Sequence, residues 1–167
     1  QDGVWNKDSQ HKVRDLVGDA SVITNLESLS TSSVASLYLA LEKVSGNTIV
    51  HDGDLVFAEG TLEVLLATRN VTTILVKEEP LGDGARVAIE AEGRDGYRVT
   101  GISRSLKSNL VYAGVLKMAA ADLELFQELT NTQRANTSGL ESVLQAMLSE
   151  TRVDSLKLVN TPDGEEL

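Results

Sequence analysis

The spacing of apolar residues changes several times along this chain, and each change marks a predicted element. In residues 8–17, Val13, Leu16 and Val17 share one helical face, and Gly18 supplies a stop before the short apolar run Ala20–Thr24. The reading is a helix leading into a buried strand. The pattern repeats over Ser32–Val44, where Val34, Leu37, Leu41 and Val44 form one stripe. Ser45-Gly46-Asn47 then breaks the helix, and Thr48–His51 forms the next strand. Beyond Asp52-Gly53-Asp54, Leu62, Leu65 and Leu66 place a helix over Gly60–Thr68, and the β-branched run Val71–Lys77 returns as a strand.

After Gly82 no helix interrupts the strands. Arg86–Ala91, Tyr97–Arg104 and Leu110–Met118 are strand-like runs set off by Gly-Asp-Gly and Arg-Asp-Gly turn signals, which predicts antiparallel or mixed pairing. Two helices follow: Ala120–Leu129, with Leu123 and Phe126 inward, and Ser138–Leu148, opened by the capping-box pattern Ser138-x-x-Glu141. A last strand, Ser155–Val159, leads to a Pro162-Asp163-Gly164 turn. No repeat, low-complexity tract or linker divides residues 1–167, so both halves are expected to share one sheet in a single α/β domain.

Composition narrows the function classes. At 167 residues and 41% hydrophobic the chain can bury a core. Its 25 acidic and 15 basic residues give a net charge of −10, which repels a phosphate backbone and argues against nucleic acid. A single nucleotide remains compatible, because a magnesium ion and a few placed donors can offset that field. The absence of cysteine excludes disulfide and thiolate chemistry, and two histidines, His11 and His51, are too few for an imidazole-based zinc site. No apolar run approaches the roughly 20 residues that cross a bilayer, and no signal sequence opens the chain; the expectation is a cytoplasmic protein without a membrane partner.

In an open α/β sheet, ligands gather at the carboxyl ends of parallel strands. Two exits stand out here: Asn25 after Ala20–Thr24, and Asp52-Gly53-Asp54 after Thr48–His51. Carboxylates beside a glycine at a strand tip can hold magnesium against phosphate oxygens, but Asp-Gly-Asp is also the composition of a surface turn. Asn25 can close a strand on its own backbone, and Ser30–Ser33 can serve as a helix N-cap cluster whose free amides would also suit an anion. Arg104 and Lys107 are candidate phosphate contacts or solvated cations of a hairpin end. His51 reads as a strand residue without an identifiable catalytic partner.

In order, these pieces resemble the nucleotidyltransferases that activate sugar phosphates, phosphocholine and phosphonates with CTP or another nucleotide. The carrying residues are Val22-Ile-Thr-Asn25, Ser32-Ser-Val-Ala-Ser-Leu-Tyr-Leu-Ala-Leu41 and Asn47-Thr-Ile-Val-His-Asp-Gly-Asp-Leu-Val-Phe57. Val99-Thr-Gly-Ile-Ser-Arg104 and Tyr112-Ala-Gly-Val-Leu-Lys-Met-Ala-Ala-Ala-Asp-Leu123 continue the likeness, so that it runs from about Val13 to Val159. It implies a truncated Rossmann-like sheet of mixed parallel and antiparallel strands with flanking helices. It also implies magnesium held by Asp54, with Asn25, Ser33, Ser36 and Arg104 near substrate or nucleotide. The partners would be a nucleoside triphosphate and a small phosphorylated acceptor.

The departures matter as much. The family's Gly-rich loop, with the arginine and lysine that grip the triphosphate, has no counterpart before Asn25, and the family's second metal aspartate has none before Leu167. Arg104 stands where the family usually has lysine. Asn109-Leu-Val-Tyr-Ala-Gly114 lacks the glutamate of the family's Gly-Glu-x-x-Gly strand. The expectation is a chain inactive in isolation. Alternatively it is a non-catalytic ligand-binding or homodimeric module of the same fold, or it is completed by a partner chain supplying the missing strand and loop.

Overall fold

A computed structural model describes residues 32–68, 70–81, 83–92, 96–135 and 139–158, together with Ile23 and Asn25. The predicted helix over 8–17, most of the strand over 20–24 and the Pro162-Asp163-Gly164 turn lie outside those residues. Among the described residues the elements run α1 (Ser33–Leu41), β1 (Thr48–His51), α2 (Thr61–Leu66), β2 (Thr72–Glu78), β3 (Arg86–Glu92), β4 (Gly96–Ser103) and β5 (Leu110–Met118). A 3-10 turn (Ala120–Asp122), α3 (Leu123–Gln133), α4 (Leu140–Met147) and β6 (Val153–Lys157) complete the order.

The six strands form one sheet in the order β1-β5-β2-β6-β4-β3. β5 is antiparallel to β1 and β2, while β2 and β6 are parallel, so β1, β2 and β6 point the same way. The β3–β4 ribbon is antiparallel, and β4 runs antiparallel to β6. The expected mixed α/β sheet with flanking helices is therefore present.

Side-chain alternation divides the core. On β2, Ile74 and Val76 join a large cluster with Val34 and Leu41 of α1, Leu123 and Phe126 of α3, and Val143, Leu144 and Met147 of α4. The residue between them, Leu75, points to the other face and meets Leu65 of α2 and Val115. A strand covered on both sides is buried without alternation, as β2 is from Thr72 through Val76. Lys117, also on the second face, is buried. Its ammonium donates to the Thr68 carbonyl at 3.1 Å and to the Thr68 hydroxyl, tying β5 to the turn after α2.

Several element details differ from the sequence reading, each for a local reason. α1 ends at Leu41, so Val44 falls beyond the buried stripe and is exposed. α2 is only six residues long and turns Leu65 inward while Leu66 is 60% exposed. Leu66 is therefore not part of the inward face. α4 is capped by Gly139, with no side-chain cap bond, and Glu141 accepts from Arg104; Ser138, the other half of the predicted capping box, lies outside the described residues.

Candidate functional site

Asp52, Gly53 and Asp54 leave the carboxyl end of β1, as the strand reading requires. The exit is held from two sides. The Asp52 amide donates to the Gly114 carbonyl at 3.0 Å, while Leu55 and Phe57 pack into the second-face cluster. Phe57 also meets His51 edge-to-face, with centroids 5.4 Å apart at 88°. His51 is thus a supporting strand residue, exposed on one side.

Gly114 fixes where the first carboxylate can go. Its φ of +79° is a conformation that L side chains rarely adopt. A Cβ there would also lie 2.6 Å from Asp52 Oδ2 and 2.9 Å from Leu55 Cδ1. The Asp52 carboxylate therefore rests on bare β5 backbone. Its pKa is raised above the ordinary value by burial, then by the Asp54 charge, with His51 opposing. The Tyr112 hydroxyl is buried without a hydrogen-bond partner among the described residues, and burial followed by the Asp52 charge pushes its pKa up.

Asp54 is exposed two residues along the same turn. Two carboxylates at one strand tip fit a hard cation that keeps its remaining coordination for water and phosphate, the usual arrangement for magnesium. Among the described residues no group of three or more metal-ligating side chains assembles, so any such ion would lean on its waters and on a bound phosphate.

The other candidates occupy separate places. Asn25 Nδ2 donates to Ser36 Oγ at 3.0 Å, which joins two predicted ligand contacts directly. Ser33 opens α1 and is exposed; Ser32 is the N-cap residue but makes no side-chain cap bond. Arg104 follows β4 and donates from Nε to Glu141 Oε1 at 2.9 Å. Lys107 lines a cleft of about 490 Å³ with Pro80, Arg86, Ser108 and Asn109. Arg86 caps the carbonyls of Glu79, Ser108 and Pro80 around that cleft. Gly114, Glu141 and Gln145 were not assigned from the sequence. Gly114 left a signal as a glycine inside a strand, and Glu141 one only as half of a capping box.

The sequence matches no protein-family model and no curated protein. Solved structures do resemble the fold. CTP:phosphocholine cytidylyltransferase from Streptococcus pneumoniae superposes with a TM-score of 0.66 at 17% identity, over 92% of this chain and 65% of its own. Inositol-1-phosphate CTP transferase from T. maritima gives 0.71 at 15%, over 95% of this chain and 68% of its own. A UDP-glucose pyrophosphorylase complexed with UDP-glucose gives 0.62 at 9%, over 90% and 62%. The chain has the nucleotidyltransferase fold. It spans about two thirds of the length of these nucleotidyltransferase-fold proteins, and identities this low establish architecture, not chemistry. No helix among the described residues is long and apolar enough to cross a membrane.

Proposed function

We propose that this chain carries part of a nucleotidyltransferase centre. In that centre Asp54 holds a magnesium ion, while Asn25, Ser33, Ser36 and Arg104 contact a nucleoside triphosphate or a small phosphorylated acceptor. The supporting observation is the placement of Asp54: a nucleotidyltransferase fold puts it at the carboxyl end of β1, on a turn that Gly114 holds against β5. The reaction of the complete centre is in-line attack of an acceptor phosphate or phosphonate oxygen on the α-phosphorus. That oxygen–phosphorus bond forms as the bond to pyrophosphate breaks.

Magnesium, when bound, supplies charge neutralisation at the phosphate oxygens. Asp54 contributes an anionic oxygen ligand, and Arg104 offers a charge-assisted fork to an oxyanion. CTP is the nucleotide proposed first; sugar phosphates, phosphocholine and phosphonates are the acceptor class. The 167 residues alone are proposed to turn over little or no substrate, since loss of a single transition-state donor costs about 100- to 1,000-fold in rate and a triphosphate loop supplies several. Pyrophosphate release from CTP and each acceptor tests this. A rate near background supports the reading, whereas turnover at ordinary enzyme rates contradicts it.

One observation favours a second reading, a homodimeric interaction module in the cytoplasm. Val56 in the loop after β1 and Val64 and Leu66 on α2 are 92%, 61% and 60% exposed, apolar side chains that a second copy of the chain could cover. Sedimentation over a range of protein concentrations checks it: a monomer at all concentrations removes this reading.

A further inference from the structure

Helix α4 grips the end of β4 at two points one turn apart. Gln145 Oε1 accepts the Ile102 amide at 2.7 Å, and Glu141 Oε1 accepts Arg104 Nε at 2.9 Å. The i, i+4 spacing puts both side chains on one helix face. The Glu141 carboxylate is itself seated against the helix start. A Cβ on Gly139 would lie 2.2 Å from its Oε2, so glycine leaves the space it occupies. An acidic group in the first turn is also favoured there by the free amides.

The turn that bears Arg104 is fixed as well, since the Ser105 amide reaches Ser103 Oγ at 3.2 Å and the two hydroxyls are 2.9 Å apart. Arg104 Nη1 and Nη2 have no partner among the described residues, and the side chain is 70% exposed. One edge of the guanidinium is anchored and the other is open. A fork held in that way matches two oxygens of one phosphate or phosphonate group.

The geometry points to Glu141 and Gln145 as positioning residues that hold Arg104 for the phosphate or phosphonate of an anionic acceptor. This rests on the reading of Arg104 as a ligand contact. It accounts for arginine where the resembling family has lysine: a single ammonium cannot be anchored on Glu141 through one edge and offer a planar fork with another. Charge alone predicts the opposite effect of Glu141, since its carboxylate repels an anion. The two accounts therefore differ in sign.

The test is calorimetric titration of the 167-residue chain with inorganic phosphate and with glucose 1-phosphate, alongside the Arg104 Nε–Hε signal by NMR. Arg104→Ala should weaken both probes by about ten-fold or more, the scale of a lost charged hydrogen bond. Glu141→Gln should weaken them by about three-fold, the scale of an exposed ion pair, and should shift the Nε–Hε signal before any ligand is added. Gln145→Ala should weaken them by a similar factor with no change of charge. In an Arg104→Lys background Glu141→Gln should cause no weakening. Unchanged or tighter binding in Glu141→Gln overturns the proposal while leaving Arg104 as a contact. Unchanged binding in Arg104→Ala overturns the contact itself, and with it the proposal. A wild-type chain that binds neither probe rejects both.

Discussion

The two strand exits that carry the candidate chemistry are held in different ways. Asp52 leaves β1 over the bare backbone of Gly114, with Leu55 and Phe57 partly buried on the same loop, so the placement of the turn that carries Asp54 is decided by sterics. Arg104 leaves β4 in the grip of two polar side chains of α4, so its placement is decided by hydrogen bonds. The first seat resists any side chain at Gly114, because its positive φ is strained for an L residue whatever the space around it. A hydrogen-bonded seat can be weakened in steps, which makes the β4 exit the place where ligand preference can be tuned.

Breaking the steric seat should have the largest effect. Gly114→Ala combines a positive φ with a Cβ 2.6 Å from Asp52 Oδ2, and is expected to cost roughly 2–4 kcal/mol in denaturant unfolding, within the range for strained, overpacked sites. A loss below about 1 kcal/mol would show that the β1 exit yields easily. The polar seat should give less: Gln145→Ala leaves the Ile102 amide without its acceptor, and about 1–2 kcal/mol is expected by the same measurement. If it exceeds the Gly114→Ala loss, the contrast between the exits is reversed.

The smallest effect concerns charge at the β1 exit. The folded-state pKa of Asp52 is raised, so the folded chain binds more protons than the unfolded one between the ordinary value of 3.8 and the raised value. Stability attributable to this group therefore falls as pH rises through that window. Asp52→Asn should be slightly more stable than the parent at pH 7, and the difference should fade below pH 3.8, as unfolding curves at several pH values will show. A variant that is less stable at pH 7 would mean that the ionised carboxylate is favourable where it sits.

Much of this architecture was legible from apolar spacing. The runs at Thr48–His51 and Leu110–Met118 became β1 and β5 with the predicted bounds, because alternation and β-branching act locally. Helix ends were less legible. Val44 and Leu66 match a helical stripe by spacing, yet the helices stop where tertiary packing stops, and both residues are exposed. At the candidate site, the exit Asp52-Gly53-Asp54 could be read because a strand and the turn that closes it are local, whereas the metal role proposed for Asp54 comes from the family resemblance and not from those three residues. The supports could not, since Gly114 lies 60 residues after Asp54, and Glu141 is paired with Arg104 across 37 residues. Only the fold brings such partners together.

Titration of the chain with CTP, with and without magnesium, in parallel with Asp54→Ala, tests the central claim most directly. The account predicts binding that requires magnesium in the parent chain and is lost in Asp54→Ala while the fold is retained by circular dichroism. Equal affinity in the two proteins, or binding indifferent to magnesium, would remove Asp54 from the site and leave this fold without the cation chemistry proposed for it.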